Sequence, residues 1–268
     1  KDDIINLAAQ KKAIGLLVAA SVLVYWGNIR ITDFYGLLGI HKIHEWVSIP
    51  FTVLTIFVIV NAFNLIDGIN GLCSSMAIIT SVFFGIWFYL EGSPKSYQLV
   101  IIISSFIGSV FAFLRFNITP ARIFMGDTGS LLIGLFIAIF AIEFLETNLR
   151  LPMSASMKVN SAPVVAISAM ALPLCDMVKV FLIRIFNKRS PFSADRNHIH
   201  HVLLKLGYSH TQSTYILSLV SVLFVGIVVL LRGINPILLL SLTFILGFAV
   251  CVIPLLLLKR KESKLGVQ

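Results

Sequence analysis

Charge is what this chain has least of. Lys, Arg, Asp and Glu make up 12% of the 268 residues, against 58% hydrophobic. That is about half the charged fraction of a soluble domain, and the mean hydropathy of +0.96 agrees. A soluble globular domain is excluded. Alternation of polar and apolar residues in segments of about ten is also missing, which excludes an outer-membrane barrel. The cysteines number only three, Cys73, Cys175 and Cys251, each inside an apolar run. An odd, scattered set excludes a disulfide framework and a cysteine metal cluster; these are small core hydrophobes. The chain shows no internal repeat, low-complexity tract or boundary to a soluble region, so residues 1–268 read as one membrane-embedded domain. No nucleic-acid partner is expected. The chain opens at Lys1 with neither an initiator Met nor a targeting segment, and the expectation is that further apolar helices precede it.

What remains is a set of long apolar runs. Eight approach the ~20 residues that a spanning helix needs: Ala13–Gly27, Val47–Phe63, Cys73–Leu90, Leu99–Leu114, Thr128–Leu145, Val164–Ile185, Thr214–Leu231 and Pro236–Leu258. The fold class expected is all-α, a polytopic helical membrane bundle. The segment between the first two runs, Asn28–Trp46, is rich in β-branched and aromatic residues and suits a short hairpin or an interfacial helix. Its His41 and His44 are three apart and read as surface histidines or a metal pair.

Loop parity divides the chain ends and connections into two sets. One set carries only Arg30, Lys42, Lys95, Arg150, Lys158 and Arg232, which leaves 15 of the 21 basic residues in the other. The richer set faces the cytoplasm; its loops are about 1–12, 64–72, 115–127 and 186–213. Acids lodged against an apolar boundary beside Gly, Asn or Pro, among them Asp67 and Asp127, all fall on this side. Solvated loop charges have no reason to collect in that way; one site assembled from several loops does.

Four stretches carry the unusual residues. Asp2 and Asp3 form an acid pair with Lys11 and Lys12 downstream; paired carboxylates hold a divalent cation or let one act as a base, and also suit a helix start. Asn61, Asn64 and Asp67 recur every three residues and would share a face on a continuing helix, before Gly68 and Gly71 end it. Interhelical hydrogen bonding is the structural alternative. In Phe124-Met125-Gly126-Asp127-Thr128-Gly129-Ser130, small residues surround one acid, as a metal ion bridging to phosphate requires; capping of a helix that starts at Thr128 is the alternative. Phe124, three before Asp127, is an interfacial aromatic or lies beside the acid. The stretch from Asn187 to His201 concentrates cations and His198, His200 and His201. With no Cys nearby, Arg and His suit a diphosphate better than a zinc ion. The sequon Asn117-Ile118-Thr119 falls on the cytoplasmic side and is discounted. Acids for a hard cation and bases for phosphate, at the rim of an apolar bundle, fit phosphoryl transfer between a soluble donor and a lipid acceptor.

The acid pair with its lysines, the stretches Asn61–Leu72 and Phe116–Ser130, and Ser190–His201 resemble, in composition and order, the polyprenyl-phosphate N-acetylhexosamine-1-phosphate transferases. The resemblance runs from Lys1 to about Gly207. His198-Ile199-His200-His201 is similar to the bacterial undecaprenyl-phosphate N-acetylglucosaminyl 1-phosphate transferase branch of glycosyltransferase family 4. That branch starts enterobacterial common antigen, O-antigen or teichoic acid linkage units. The muramoyl-pentapeptide branch has a different histidine loop.

The resemblance implies Mg²⁺, with Mn²⁺ as a substitute, on Asp127 with Asn64 as a polar partner. It implies that Asp2 or Asp3 deprotonates or positions the lipid phosphate, and that Asp67 joins them at the catalytic centre and lines the nucleotide side with Asn70. Phe124 would stack on uracil, and Arg196, His198, His200 and His201 would meet the diphosphate or sugar. Asp176 matches an acid that the branch carries near the histidine loop; an ion pair with Lys179 is its alternative. Where relatives carry a second acid, this chain has Asn70, which still hydrogen-bonds a uracil edge.

The expected partners are a UDP-N-acetylhexosamine, undecaprenyl phosphate, the membrane lipid of a bacterial inner membrane and a second copy of the chain as a homodimer. Two rivals predict otherwise. A transporter or proton relay needs acids near the midplane of several helices. A catalytically inactive scaffold releases no UMP.

Overall fold

The computed structural model describes residues 9–37, 39–118, 120–188 and 197–264. The helices are α1 (Ala9–Tyr25), α2 (Glu45–Ile66), α3 (Leu72–Glu91), α4 (Pro94–Asn117), α5 (Gly126–Arg150), α6 (Ala162–Ala169), α7 (Ala171–Phe186), α8 (Ile199–Leu206), α9 (His210–Leu230) and α10 (Pro236–Lys264). Strands β1 (Asp33–Leu37) and β2 (Ile40–Lys42) form the hairpin expected between the first two runs. Apolar runs form helices here because lipid offers the backbone no partner, so each N–H must be satisfied within its own segment. Six helices, α2, α3, α4, α5, α9 and α10, are long and apolar enough to cross a membrane; α6 and α7 together make a seventh, bent span. At ~1.5 Å per residue, the 17 residues of α1 reach about 25 Å, slightly short of a hydrocarbon core. The protein is a polytopic helical membrane protein.

One expectation is corrected. Val164–Ile185 is not one rod: it breaks at Met170 with a 78° bend. Pro173 is the cause. It has no N–H for the carbonyl four residues back, and its ring clashes with that carbonyl. The carbonyl in question is that of Ala169, and the Thr80 hydroxyl of α3 donates to it at 3.0 Å. A neighbouring helix thus takes over the lost hydrogen bond. Helix α8, inside what reads as a polar loop, is also absent from the sequence expectation.

The bundle is organised around α2, α3 and α5. Phe83, Phe84 and Trp87 of α3 surround Phe144 of α5, with the Trp87 and Phe144 rings 4.6 Å apart and edge to face. Where α5 crosses α2, Gly134 lies directly on the backbone of Val60, and a Cβ there would come within 2.6 Å of the Val60 Cα. A small residue at the crossing lets the two backbones approach this closely. One turn along each helix from that contact stand Asn64 and Ser130.

Candidate active site

The close α2–α5 crossing has an immediate consequence. The Asn64 amide nitrogen donates to Asp127 Oδ1 at 3.0 Å and to Ser130 Oγ at 2.9 Å. The Ser130 hydroxyl in turn donates to the Gly126 carbonyl at 3.0 Å. Helix α5 starts at Gly126, two residues before the position expected, with no side-chain cap from Met125. Asp127 therefore sits inside the first turn, and its carboxylate points across to α2 rather than closing its own helix. The second oxygen, Oδ2, takes the ammonium of Lys12 from the first turn of α1. Asp127 remains 31% exposed in this arrangement, so its carboxylate is reachable.

Asp67 ends α2 as its C-cap. Burial first, and the Asp127 carboxylate second, push its acid up to about 7. No hydrogen bond from a described residue reaches its carboxylate. Next to it, Gly68 lies against His200 of α8: a Cβ at Gly68 would run into the His200 ring. His200 is 1% exposed. Burial, then the neighbouring His201, hold its imidazole down to about 3, so the ring is neutral. His201 lies against it, ring centroids 4.2 Å apart, and His198 stacks on it at 5.7 Å and 9°.

Asn117 braces the other loops. Its side-chain oxygen accepts the Gly71 N–H at 2.7 Å and its amide donates to the Ile123 carbonyl at 2.9 Å. The Asn70 carbonyl accepts from Thr214 of α9 at 2.9 Å. So Asn64, Asp67, Asp127 and His200 meet at one end of the bundle, where α1, α5 and α9 begin and α2 and α4 end. Asn70 lies three residues beyond Asp67 on the same turn. Phe124 is 77% exposed on the α4–α5 connection, so its ring is open for a flat ligand. His198 is buried and tied to Asp176. Asp2, Asp3 and Arg196 lie outside the described residues. Asn61 donates to the Phe57 carbonyl of its own helix at 2.7 Å and does not join Asn64.

Sequence reasoning left three participants unassigned. Lys12 and Ser130 touch the Asp127–Asn64 pair directly, and Asn117 holds the surrounding loops. The signal was there in Asn117, a polar side chain closing a long apolar run, but the sequon diverted it.

The donor set is made of oxygens. Among the described residues no group of three or more His, Cys, Asp or Glu is arranged to hold a metal ion. A half-turn of the Asn64 amide would bring its carbonyl oxygen beside the Asp127 carboxylate in place of the nitrogen that now donates there. Few protein ligands plus substrate phosphates and water is the habit of Mg²⁺, not of zinc. The Lys12 ammonium shows that this point accepts positive charge.

The sequence model of the family described as "Glycosyl transferase family 4" matches residues 1–145. A probable undecaprenyl-phosphate N-acetylglucosaminyl 1-phosphate transferase of Bacillus subtilis (strain 168) is 32% identical over 225 residues, 83% of this chain and 59% of that protein. An undecaprenyl-phosphate alpha-N-acetylglucosaminyl 1-phosphate transferase of Escherichia coli (strain K12) is 27% identical over 237 residues, covering 85% and 60%. A decaprenyl-phosphate N-acetylglucosaminephosphotransferase of Mycobacterium leprae (strain TN) is 32% identical over 241 residues, covering 85% and 58%. The chain spans less than two thirds of the length of these relatives. With more than half of its residues matched in this way, and with the matched part containing Asn64, Asp67 and Asp127, the chain belongs to glycosyl transferase family 4.

Proposed function

We propose that the protein transfers N-acetylglucosamine 1-phosphate from UDP-N-acetylglucosamine to undecaprenyl phosphate and releases UMP. It does so at the cytoplasmic face of a bacterial inner membrane, as the first membrane step of a surface polysaccharide. The observation that carries this is the meeting of Asn64, Asp67, Asp127 and His200, from three distant stretches, at the end of the bundle richest in Lys and Arg. The names of the relatives supply the lipid phosphate and the amino sugar.

An oxygen of the lipid phosphate attacks the sugar-bearing phosphorus of the donor. A new P–O bond forms, the bond from that phosphorus to the bridging oxygen breaks, and UMP departs with the bridging oxygen. Two anions must meet, so charge neutralisation and alignment are the main tasks. Asp127 and Asn64 would hold a Mg²⁺ which, when bound, offsets the charge on the diphosphate. Lys12 adds a cation at the same carboxylate. Asp67, with its acid near neutrality, holds or releases a proton beside the phosphates. His201 offers a ring nitrogen to the donor, and the neutral His200 backs it without adding a buried charge. A cavity of about 400 Å³ between α2, α5, α7 and α10, lined by Phe51, Leu54, Ala141, Met170, Leu174 and Phe244 among others, suits the prenyl chain. Its apolar walls run from Ile59 toward Phe34 and Leu37 of the hairpin.

The test is the full chain in detergent with undecaprenyl phosphate, Mg²⁺ or Mn²⁺, and a panel of UDP-sugars, scored for UMP and labelled lipid. Metal-dependent UMP release with UDP-N-acetylglucosamine is expected. Turnover that survives chelation, or an Asp127→Ala variant that works normally, would overturn the site assignment. Sugar flux across proteoliposomes without UMP release would favour a transporter.

A further inference from the structure

Asp176 lies deep in α7, 1% exposed, and still has three polar partners. Its Oδ1 accepts from Lys179 Nζ at 2.7 Å and from the Ile199 backbone N–H at 2.8 Å. Its Oδ2 lies 2.8 Å from His198 Nδ1. Lys179 is itself 3% exposed, so this is a buried ion pair between two helical neighbours, extended across to α8. The Ile199 N–H is one of the orphan donors at the start of α8, and His198, the N-cap, makes no capping bond with its own side chain. A residue 23 positions upstream therefore does the work of a cap.

The same carboxylate decides a tautomer. An ionised carboxylate only accepts, so the His198 Nδ1 that faces it at 2.8 Å carries a hydrogen. From His198 the imidazoles run on through His200, stacked at 5.7 Å, to His201 at 4.2 Å. The His200 ring closes on Gly68, next to Asp67. Among the described residues His200 Nδ1 is buried without a hydrogen-bond partner, so nothing on that ring anchors it except its neighbours. The row is held at its far end, at Asp176.

We infer that Asp176 is the positioning residue of the histidine row: it docks the start of α8 on α7 and fixes the His198 tautomer, and thereby places His200 and His201 against the Asp67–Gly68 turn. The effect on turnover rests on the transfer reading above; the docking and the tautomer do not.

The experiment uses paired variants, because Asp176→Asn alone would strand the buried Lys179 charge. In Asp176→Asn/Lys179→Met the amide oxygen still accepts from Ile199, but the amide nitrogen can only donate toward His198. A ring that carries one hydrogen must then hold it on Nε2, and the ¹⁵N shifts of the His198 ring nitrogens should exchange. Donor kcat/KM should fall about 10- to 100-fold, the usual cost of losing an orienting partner. In Asp176→Ala/Lys179→Met the cap is lost as well, and amides 199–203 should exchange with deuterium about tenfold faster while those of α2 and α5 hold. An unchanged His198 tautomer in a folded Asn double variant, or unchanged donor kcat/KM in a chain that transfers, would overturn the inference. If no donor is turned over by the parent chain yet the tautomer switches and α8 loosens, the transfer reading fails and the positioning role stands.

Discussion

The two polar ends of the bundle are built from the same residue types and differ in how fully those residues are satisfied. At the hairpin end every carboxylate is tied. Glu143 takes Lys95 at 2.7 Å, Glu45 takes Arg30, and Glu146 accepts both the backbone N–H and the hydroxyl of Thr32. Lys158 donates to the Asn148 and Leu149 carbonyls at the end of α5 and to that of its C-cap, Leu151. These bonds pin the hairpin and finish helices. At the other end Asp67 and Asp127 repel one another, and among the described residues His200 Nδ1 is buried without a hydrogen-bond partner. Acids at a helix end are thus no sign of chemistry by themselves. A cluster left electrostatically unbalanced by the fold is, because it is stable only when something else completes it.

The comparison can be broken most directly by exchanging charges at both ends. Asp127→Ala should lower UMP release by about 1,000-fold or more, the scale of losing a main electrostatic stabiliser, while leaving the detergent-solubilised protein folded. Glu143→Gln should change it less than about twofold, and comparable losses from both would erase the distinction. Next in size is Gly68→Ala, whose Cβ meets the His200 ring. We expect a fall of about 10- to 100-fold in donor kcat/KM from displaced geometry, with Mg²⁺ affinity, read by titration calorimetry, unchanged.

A smaller effect concerns stability. The Asp67 acid is raised to about 7 by burial and Asp127, so the folded chain binds a proton more tightly than the unfolded one. Stability of the metal-free protein should therefore fall as pH rises from about 4 to about 7. Asp67→Asn removes that loss: its Tm should exceed the parent's by about 3 °C at pH 8 and match it at pH 4. A gain that persists at pH 4 would show that packing, not charge, is responsible. The least effect is expected at the hairpin end, where Lys95 is half exposed; Lys95→Met should cost about 0.5 kcal/mol or less in chemical denaturation and leave turnover alone.

Much of this division is legible in the sequence, because two signals survive without coordinates. Apolar length marks the spans, and the bias of Lys and Arg marks one face. Asn64 and Asp127 stand out because an amide and an acid at the ends of apolar runs are costly to place without a partner. The elbow at Met170 was hidden because a proline inside an apolar run is compatible with a straight, kinked or broken helix; the outcome depended on Thr80, ninety residues away. Helix α8 was hidden because its eight residues sit in a polar, basic stretch whose composition says loop. Its cap comes from Asp176 on another helix, so no local start signal precedes it. The Lys12–Asp127 contact joins residues 115 apart, and no spacing rule reaches that far.

The elbow has a bearing on how the molecule is made. Neither α6, with 8 residues, nor α7, with 16, is long enough to cross a bilayer as a straight rod. The Ala169 carbonyl, buried and freed from its helix ladder, finds a donor on α3. During synthesis this segment has no settled depth of its own. In the finished bundle it leans on α3 and is covered by α10. The wall that α7 contributes to the apolar cavity is accordingly among the last parts of the bundle to set, and a block after α9 should leave an inserted chain with an open flank.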